Sequence, residues 1–165
     1  MHGNRDFLLG TRFEAMTGCT LLADPALIDL YGTPTLIMHG DTLCTDDTDY
    51  LEFRAMVRDT QWQAQFLQMD VTQRQQIADK YRSESKIQTR QKSPEITDAN
   101  QQTIESVMTE NQVQHLIHGH THRPAIHNFK LNDKPAQRIV LGDWYTQGSV
   151  LIVTKDGYDL KSIPL

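Results

Sequence analysis

The sequence has little of three features that would place a protein in an extracellular, membrane or nucleic-acid class. Its two cysteines, Cys19 and Cys44, form no C-x-x-C pair, which argues against a disulfide framework and favours a reducing compartment. Apolar runs reach only about four residues, as in 150–153, far short of a membrane span. Basic residues number 16 against 21 acidic ones, which excludes a general nucleic-acid binder.

The amino-terminal residues also lack the apolar stretch of a secretory signal. They carry Arg5, Asp6, Arg12 and Glu14 within a short distance of one another. At 165 residues, the chain is long enough for one domain with a hydrophobic core. The sequence therefore predicts a protein of the cytosol or of the cytosolic surface of a membrane, without a nucleic-acid partner.

Secondary-structure signals in the first two thirds of the chain change from strand to helix. Residues 1–45 predict a short helix near 12–17 and a buried strand, 36–38, that ends at His39. Residues 46–110 are typical of helices. Within them, Tyr50, Phe53 and Val57 share one helical face, and Ser93-Pro94 predicts a further helix with serine as N-cap and proline in the first turn.

The last third of the chain returns to strand signals. The segments VQHLIHGH, RIVLG, SVLIVT and YDLKSIPL read as strands, and DWYTQ and KDG between them are typical of hairpin turns. The order along the chain, strand then helix then strand, predicts an α+β domain over residues 1–165 with a helical cap inserted at residues 46–95.

The most unusual segment is HLIHGHTHRP, residues 115–124, which holds four of the seven histidines. In an extended segment, residues two apart lie on the same side, so His120 and His122 can converge on one point. His39 also ends a strand, before Gly40 and Asp41. Neutral imidazole is a common ligand of Zn, Mn, Fe and Ni. The pattern favours a metal site over the alternative, ordinary surface or hydrogen-bonded histidines.

Four ordered blocks carry a resemblance to a known family: GNRDFLLG, MHGDTLCTDD, LIHGHTHRPA and LGDWYTQGS. They resemble the calcineurin-like metallophosphoesterases, and in finer detail the members that act in lipid A biosynthesis. The resemblance extends over the whole chain, including the helical insertion. It implies a β-sandwich flanked by helices, of which this chain is the carboxyl-terminal portion, with a helical cap.

The same resemblance implies an activity and a metal centre. Such proteins hydrolyse the pyrophosphate bond of a lipid-linked UDP-sugar, UDP-2,3-diacylglucosamine, to UMP and 2,3-diacylglucosamine 1-phosphate, with two Mn²⁺ ions. Matched position by position, the metal ligands are Asn4, His39, His120 and His122. Asn4, Arg5 and His120 are the implied catalytic and phosphate-contacting residues. Arg5 stands where most of the superfamily has histidine, and its planar fork of donors suits a phosphate group.

The resemblance also implies substrate contacts in the insertion. Asp47, Ser85, Thr89 and Lys92 would line the glucosamine and phosphate site, although related proteins carry asparagine in place of Thr89. Two interpretations stay open for a set of apolar and aromatic residues, an acyl-chain pocket or helix-to-helix core: Tyr50, Phe53, Met56, Phe66, Leu67 and Met69. A lipid substrate implies a peripheral position on the cytoplasmic side of the inner membrane.

One part of the superfamily pattern is missing from the sequence. The chain contains no Asp-x-His, and its only Gly-Asp pairs are 40–41 and 142–143. We therefore expect that the amino-terminal portion, with the bridging aspartate, is not included in these residues. Three hypotheses follow: an enzyme that is catalytic when complete, a non-catalytic fragment, or a related phosphodiesterase with a soluble nucleotide substrate.

Overall fold

The structure, a computed structural model, describes residues 1–165 apart from the side chains of residues 89 and 90. The α-helices are α1 (Thr11–Thr17), α2 (Thr48–Arg58), α3 (Thr60–Gln68), α4 (Val71–Gln91) and α5 (Gln101–Glu110). The strands are β1 (Ala26–Leu30), β2 (Thr33–Met38), β3 (His115–His118), β4 (Ala125–Leu131), β5 (Lys134–Val140), β6 (Gln147–Thr154) and β7 (Gly157–Pro164). A short 3₁₀ helix covers Asp41–Leu43. The protein is thus a mixed α/β structure, and the predicted helix near 12–17 and strand at 36–38 are confirmed.

The strands form two sheets. The larger sheet has the order β1-β2-β3-β5-β4, in which β2, β3 and β5 are parallel and the outer strands are antiparallel to their neighbours. Strands β6 and β7 form a separate antiparallel pair joined by the predicted KDG turn. The hairpin predicted at DWYTQ is wrong, because that segment joins β5 to a strand of the other sheet. The indole N–H of Trp144 donates to the Ser149 carbonyl at 3.1 Å and holds this connection between the two sheets in place.

Two strands that the sequence analysis did not predict, β1 and β4, each enter the large sheet through a tight hairpin. Tyr31 and Gly32 link β1 to β2 with φ of 54° and 85°. Asn132 and Asp133 link β4 to β5 with φ of 52° and 62°. Two consecutive residues with positive φ are the geometry of the two-residue turns that match strand twist.

Helix α5 covers one face of the large sheet and builds the main core. Ile104 and Met108, four residues apart on the helix, are fully buried with Leu36 of β2 and Leu116 of β3. Residues spaced by four lie above one another on a helix, which gives α5 its apolar stripe. Burial of each such side chain stabilises the fold by about 1.5–3 kcal/mol.

The helix predicted to begin at Ser93-Pro94 is wrong. Residues 94–97 form a turn, in which the Thr97 hydroxyl donates to the Pro94 carbonyl at 3.1 Å. The following helix, α5, begins at Gln101 because the Asn100 side chain accepts the N–H groups of Gln102 and Thr103. The Asn100 side chain pairs two backbone N–H groups that would otherwise lack a partner at the helix start. This stabilises a start at Gln101 more than a proline, which only fits the first turn, stabilises a start at Pro94.

By internal contacts the chain divides into two units, Met1–Cys44 with Ala99–Leu165, and Thr45–Asp98. The predicted insertion, residues 46–95, falls within the second unit, which we call the cap. Aspartate side chains begin three of its helices: Asp47, Asp59 and Asp70 each accept a backbone N–H in the first turn. Among the described residues, none of the helices combines enough length with enough apolar character to cross a membrane.

Burial at the start of β3 predicts a pH dependence of stability. Burial lowers the pKa of His115 from 6.5, and the Tyr158 hydroxyl lies 3.3 Å from its Nδ1. The unfolded chain therefore binds the proton more readily than the folded chain, so stability is complete above the unfolded pKa and falls as pH drops below it. We expect His115→Gln to reduce the loss of urea resistance between neutral and mildly acidic pH. An unchanged loss in His115→Gln would show that other groups cause it.

Candidate functional site

The three parallel strands bring their carboxyl ends to one edge of the large sheet. Met38, His118 and Val140 are in register across β2, β3 and β5. The backbone continues this alignment for one more residue, since Gly119 N–H donates to the His39 carbonyl at 3.0 Å and Leu141 N–H donates to the His118 carbonyl at 2.8 Å. Loops at the carboxyl ends of parallel strands are where α/β proteins assemble ligand sites.

Three predicted site residues meet at this edge: Asn4, His39 and His120. His39 Nε2 lies 2.8 Å from the Asn4 amide oxygen, and Asn4 Nδ2 lies 3.3 Å from His120 Nδ1. The two imidazole rings are 5.1 Å apart in an edge-to-face arrangement. Because an amide oxygen only accepts, His39 donates from Nε2 in this arrangement. We call these three residues the donor cluster.

The backbone around His39 holds the donor cluster in place. Asp24 accepts the His39 N–H at 3.0 Å. His118 is buried, with its Nδ1 2.9 Å from the Gly119 carbonyl, and it lies directly against Gly40. The loop after β2 and the loop after β3 therefore rest on the same buried imidazole.

Gly40 is the position where a small substitution should disturb the site most. Its φ is +105°, and a Cβ there would lie 2.7 Å from His118 Nδ1. We expect Gly40→Ala to lower the free energy of unfolding by about 2–4 kcal/mol, from backbone strain together with overpacking. Urea denaturation measures this loss. Gly10→Ala is the matched control, because Gly10 has a φ of −139° and open space around it, and a loss as large in the control would contradict the argument.

The structure differs from the sequence analysis at His122. The segment after β3 is not extended, since His120 and His122 both have positive φ, 65° and 54°, so the extended geometry from which their convergence was predicted is wrong. The Thr121 N–H donates to the Gly119 carbonyl at 2.8 Å and tightens the turn. His122 Nδ1 lies 3.8 Å from the Asp143 carboxylate, and its ring packs edge-on against Tyr145.

The remaining predicted residues are placed as follows. Arg5 is exposed directly after Asn4. In the cap, the Lys92 ammonium is paired with Asp47 and lies 3.6 Å from Asp49, while Ser85 is exposed on α4. The side chain of Thr89 lies outside the described residues. The structure thus brings Asp47 and Lys92 together, with both side chains 13% exposed.

The donor cluster can be tested for its fit to a metal ion. Two ligand atoms held at right angles about 2.1 Å from an ion are separated by about 3 Å, and the 2.8 Å separation of His39 Nε2 from the Asn4 amide oxygen matches this spacing. Imidazole nitrogen and amide oxygen together suit a borderline cation such as Mn²⁺ or Zn²⁺. Within residues 1–88 and 91–165, no three or more His, Cys, Asp or Glu side chains converge as a metal-binding group. The cluster therefore supplies two nitrogens and one neutral oxygen.

The fold and the cluster together define a mixed α/β protein with metal-ligand types at the carboxyl edge of its parallel strands. No protein-family model matches the chain. Curated relatives do match it. The UDP-2,3-diacylglucosamine hydrolase of Enterobacter sp. (strain 638) is 50% identical over 164 residues, which are 99% of this chain and 68% of that protein.

Further relatives give the same result. The UDP-2,3-diacylglucosamine hydrolase of Salmonella paratyphi B is 50% identical over 165 residues, which are 100% of this chain and 69% of that protein. The protein of that name from Photobacterium profundum is 49% identical over 98% of this chain and 66% of its own length. This chain belongs to the UDP-2,3-diacylglucosamine hydrolase family.

Sequence reasoning missed two features of the site: the support that His118 gives to both loops, and the neighbourhood of His122, Asp143 and Tyr145. Burial of His118 could not be inferred from a segment with four histidines. Asp143 and Tyr145 follow β5, and the signal that could have found them is the end of a third parallel strand beside β2 and β3.

Proposed function

We propose that this chain hydrolyses the pyrophosphate bond of UDP-2,3-diacylglucosamine, giving UMP and 2,3-diacylglucosamine 1-phosphate in lipid A biosynthesis. The observation that carries the proposal is about 50% identity, over nearly the whole chain, to hydrolases named for that substrate. The arrangement of Asn4, His39 and His120 at one sheet edge supports it, and so does the order of the sequence blocks. We also assign the chain to the calcineurin-like metallophosphoesterase superfamily on these grounds.

We propose two Mn²⁺ ions as the cofactor, held by Asn4, His39, His120 and His122. When bound, such ions stabilise charge that develops on phosphorus and lower the pKa of a bound water. All four residues are neutral donors, so the carboxylates that two divalent cations require must come from other residues. The 2.8 Å spacing of His39 Nε2 and the Asn4 amide oxygen supports the assignment for these two residues, and the His120 ring lies 5.1 Å from the His39 ring.

We propose substrate contacts within each unit, considered separately. Arg5, beside Asn4, supplies a planar fork of N–H donors for a phosphate of the pyrophosphate. Within the cap, Lys92 supplies a positive charge for a phosphate oxygen, and Asp47 supplies acceptors for sugar hydroxyl or amide groups. Their mutual ion pair holds both side chains in a defined position before substrate binds.

The cap contains a cleft of about 140 Å³ that is suited to an acyl chain. It is lined by Trp62, Gln65, Phe66, Met69, Ile77, Lys80 and Tyr81. Two members of the predicted acyl pocket, Phe66 and Met69, are among these residues. Phe53 instead packs edge-on against Tyr81 at 5.2 Å, which supports a core role for its ring.

A charge placed in this cleft should separate the lipid substrate from small ones. We expect Ile77→Asp to lower kcat/KM for UDP-2,3-diacylglucosamine by about tenfold or more, because a carboxylate beside an acyl chain loses its hydration. Hydrolysis of a nitrophenyl phosphodiester should change little. The control is Ala78→Asp, at the next position of α4, which is exposed and outside the cleft lining. An equal loss on both substrates in Ile77→Asp would contradict acyl binding and indicate a cap that no longer folds.

We further propose a peripheral position on the cytoplasmic side of the inner membrane. Several apolar side chains of the cap are exposed, namely Met56, Leu67, Val71 and Ile87. Exposed apolar side chains on helices can enter the headgroup boundary of a bilayer, where the lipid substrate resides. Flotation with phospholipid vesicles tests the proposal, since the protein should rise with the vesicles.

The proposed reaction is best tested in a chimaera in which this chain replaces the matching 69% of the Salmonella paratyphi B hydrolase. The chimaera is supplied with Mn²⁺ and, in turn, with UDP-2,3-diacylglucosamine, UDP-N-acetylglucosamine and a nitrophenyl phosphodiester. We expect the highest kcat/KM on the diacylated substrate, with equal amounts of UMP and lipid phosphate. A preference for UDP-N-acetylglucosamine would favour the alternative of a soluble nucleotide substrate.

A further inference from the structure

We propose that Trp144 and Tyr145 form a platform on which the uracil base of the nucleotide stacks. The inference rests on the proposed function, because it assigns a place to the uridine half of that substrate. The residues matched to the family account for the metal ions, the phosphates and the glucosamine. The base is left without a partner among them.

The position of the loop is the first argument. Trp144 and Tyr145 follow β5, the third strand whose carboxyl end reaches the edge where His39 follows β2 and His120 follows β3. The carboxyl ends of three strands that are adjacent in the sheet, β2, β3 and β5, thus supply three loops to one edge of that sheet. Two of these loops carry the donor cluster, and the third carries the aromatic pair.

Contacts tie this third loop to the histidine segment. The Tyr145 ring lies 5.8 Å from the His122 ring at an angle of 67°, and the Asp143 carboxylate lies 3.8 Å from His122 Nδ1. His122 is one of the proposed metal ligands, only two residues beyond His120. A base on Tyr145 would therefore lie within the length of one nucleotide of the phosphates at the metal site.

Both aromatic side chains are presented to solvent while being held in place. Trp144 is 57% exposed and Tyr145 is 77% exposed. The indole N–H of Trp144 donates to the Ser149 carbonyl, and its ring edge lies over Gly148 of β6. The Tyr145 ring touches His122 in an edge-to-face geometry, so that contact does not cover both of its faces. Exposed aromatic rings with fixed edges are suitable surfaces for base stacking.

Exposed tryptophan and tyrosine are also found where proteins meet a bilayer. The contact of Tyr145 with His122 favours a nucleotide over a bilayer as the ligand. His122 is a proposed metal ligand, and the phosphates of a nucleotide would bind at the metal site. Uracil is a flat ring with polar edges, and stacking on an aromatic side chain leaves those edges free for hydrogen bonds. The ligand class is therefore a nucleoside phosphate, recognised through the face of its base.

Binding of UMP and of ribose 5-phosphate to the 165-residue chain with Mn²⁺ tests the inference by calorimetry. We expect UMP to bind about tenfold more tightly than ribose 5-phosphate, since base stacking on aromatic side chains is commonly of this size. Tyr145→Ala should remove most of that difference and leave ribose 5-phosphate binding unchanged. Tyr31→Ala is the matched control, because Tyr31 is a similarly exposed tyrosine in the turn before β2.

Fluorescence gives a second measurement at the site itself. The chain has two tryptophans, so Trp62→Phe leaves Trp144 as the only indole reporter, and UMP should quench it while ribose 5-phosphate does not. Equal affinity for UMP and ribose 5-phosphate would overturn the platform without contradicting the phosphate site. Trp144 fluorescence that changes only with phosphatidylglycerol vesicles would do the same. Binding of neither ligand would overturn the platform and would also count against the phosphate site of the proposed function.

Discussion

His120→Ala in the chimaera is expected to lower UMP release by at least about 100-fold at saturating substrate. Removal of a ligand from a metal site costs affinity for the ion, and the stabilisation of charge on phosphorus is lost with it. In this chain the cost should be larger than for an isolated ligand, because His120 Nδ1 also receives the Asn4 amide at 3.3 Å, and Asn4 in turn contacts His39. The initial rate of UMP formation at several Mn²⁺ concentrations measures the effect.

The control for this substitution is His127→Ala. His127 is exposed on β4, the outer strand of the large sheet, and it is not part of the donor cluster. We expect the control to retain nearly full activity. Full activity of His120→Ala at high Mn²⁺ would show that His120 is not required in the metal site.

The second large effect is expected at Arg5. Arg5→Ala should lower kcat by about 100-fold or more, because removal of one donor aimed at developing charge has effects of this size in other enzymes. Since the contact strengthens in the transition state, KM should change much less than kcat. Arg5→Lys keeps the charge but not the planar fork, so it should recover only a small part of the activity.

Arg12→Ala provides the comparison, since Arg12 is an exposed arginine seven residues later, on α1. It should leave both kcat and KM close to those of the unsubstituted chimaera. A rise in KM alone in Arg5→Ala would contradict a transition-state role and would make Arg5 a binding residue only. Steady-state kinetics on UDP-2,3-diacylglucosamine distinguish the two outcomes.

Local patterns account for the parts of the fold that the sequence predicted. Strand β6 carries a dense run of β-branched and apolar residues at 150–153, and a KDG turn can close β6 onto β7 without help from the rest of the chain. The helix at α1 and the buried strand β2 were predicted for similar reasons. Such signals depend on neighbours a few residues away.

The errors lie where distant contacts decide the structure. Asn100 caps α5 and shifts its start away from Pro94, because the helix must place Ile104 and Met108 over β2 and β3. The loop after β3 bends at His120 instead of continuing as a strand, and so His122 turns towards Asp143. Neither outcome can be derived from local propensity.

The candidate site was likewise predicted in part from local patterns, while the rest of it depends on distant contacts. The residue types were found from short blocks, but their meeting depends on the order of the parallel strands. Asn4 lies 35 positions from His39 and 116 positions from His120 along the chain. Only the pairing of β2 with β3 brings the last two side chains together. The assignment of Asn4, His39, His120 and His122 as metal ligands stays a prediction.

The most direct test of the central claim is Mn²⁺-dependent formation of UMP from UDP-2,3-diacylglucosamine by the chimaera, with and without the double substitution His39→Ala and His120→Ala. We expect the unsubstituted chimaera to form UMP and 2,3-diacylglucosamine 1-phosphate in equal amounts. Removal of both imidazoles from the donor cluster should abolish this activity while the circular dichroism spectrum stays unchanged. A folded unsubstituted chimaera that forms no UMP, or a double variant that forms it at an undiminished rate, would contradict the claim.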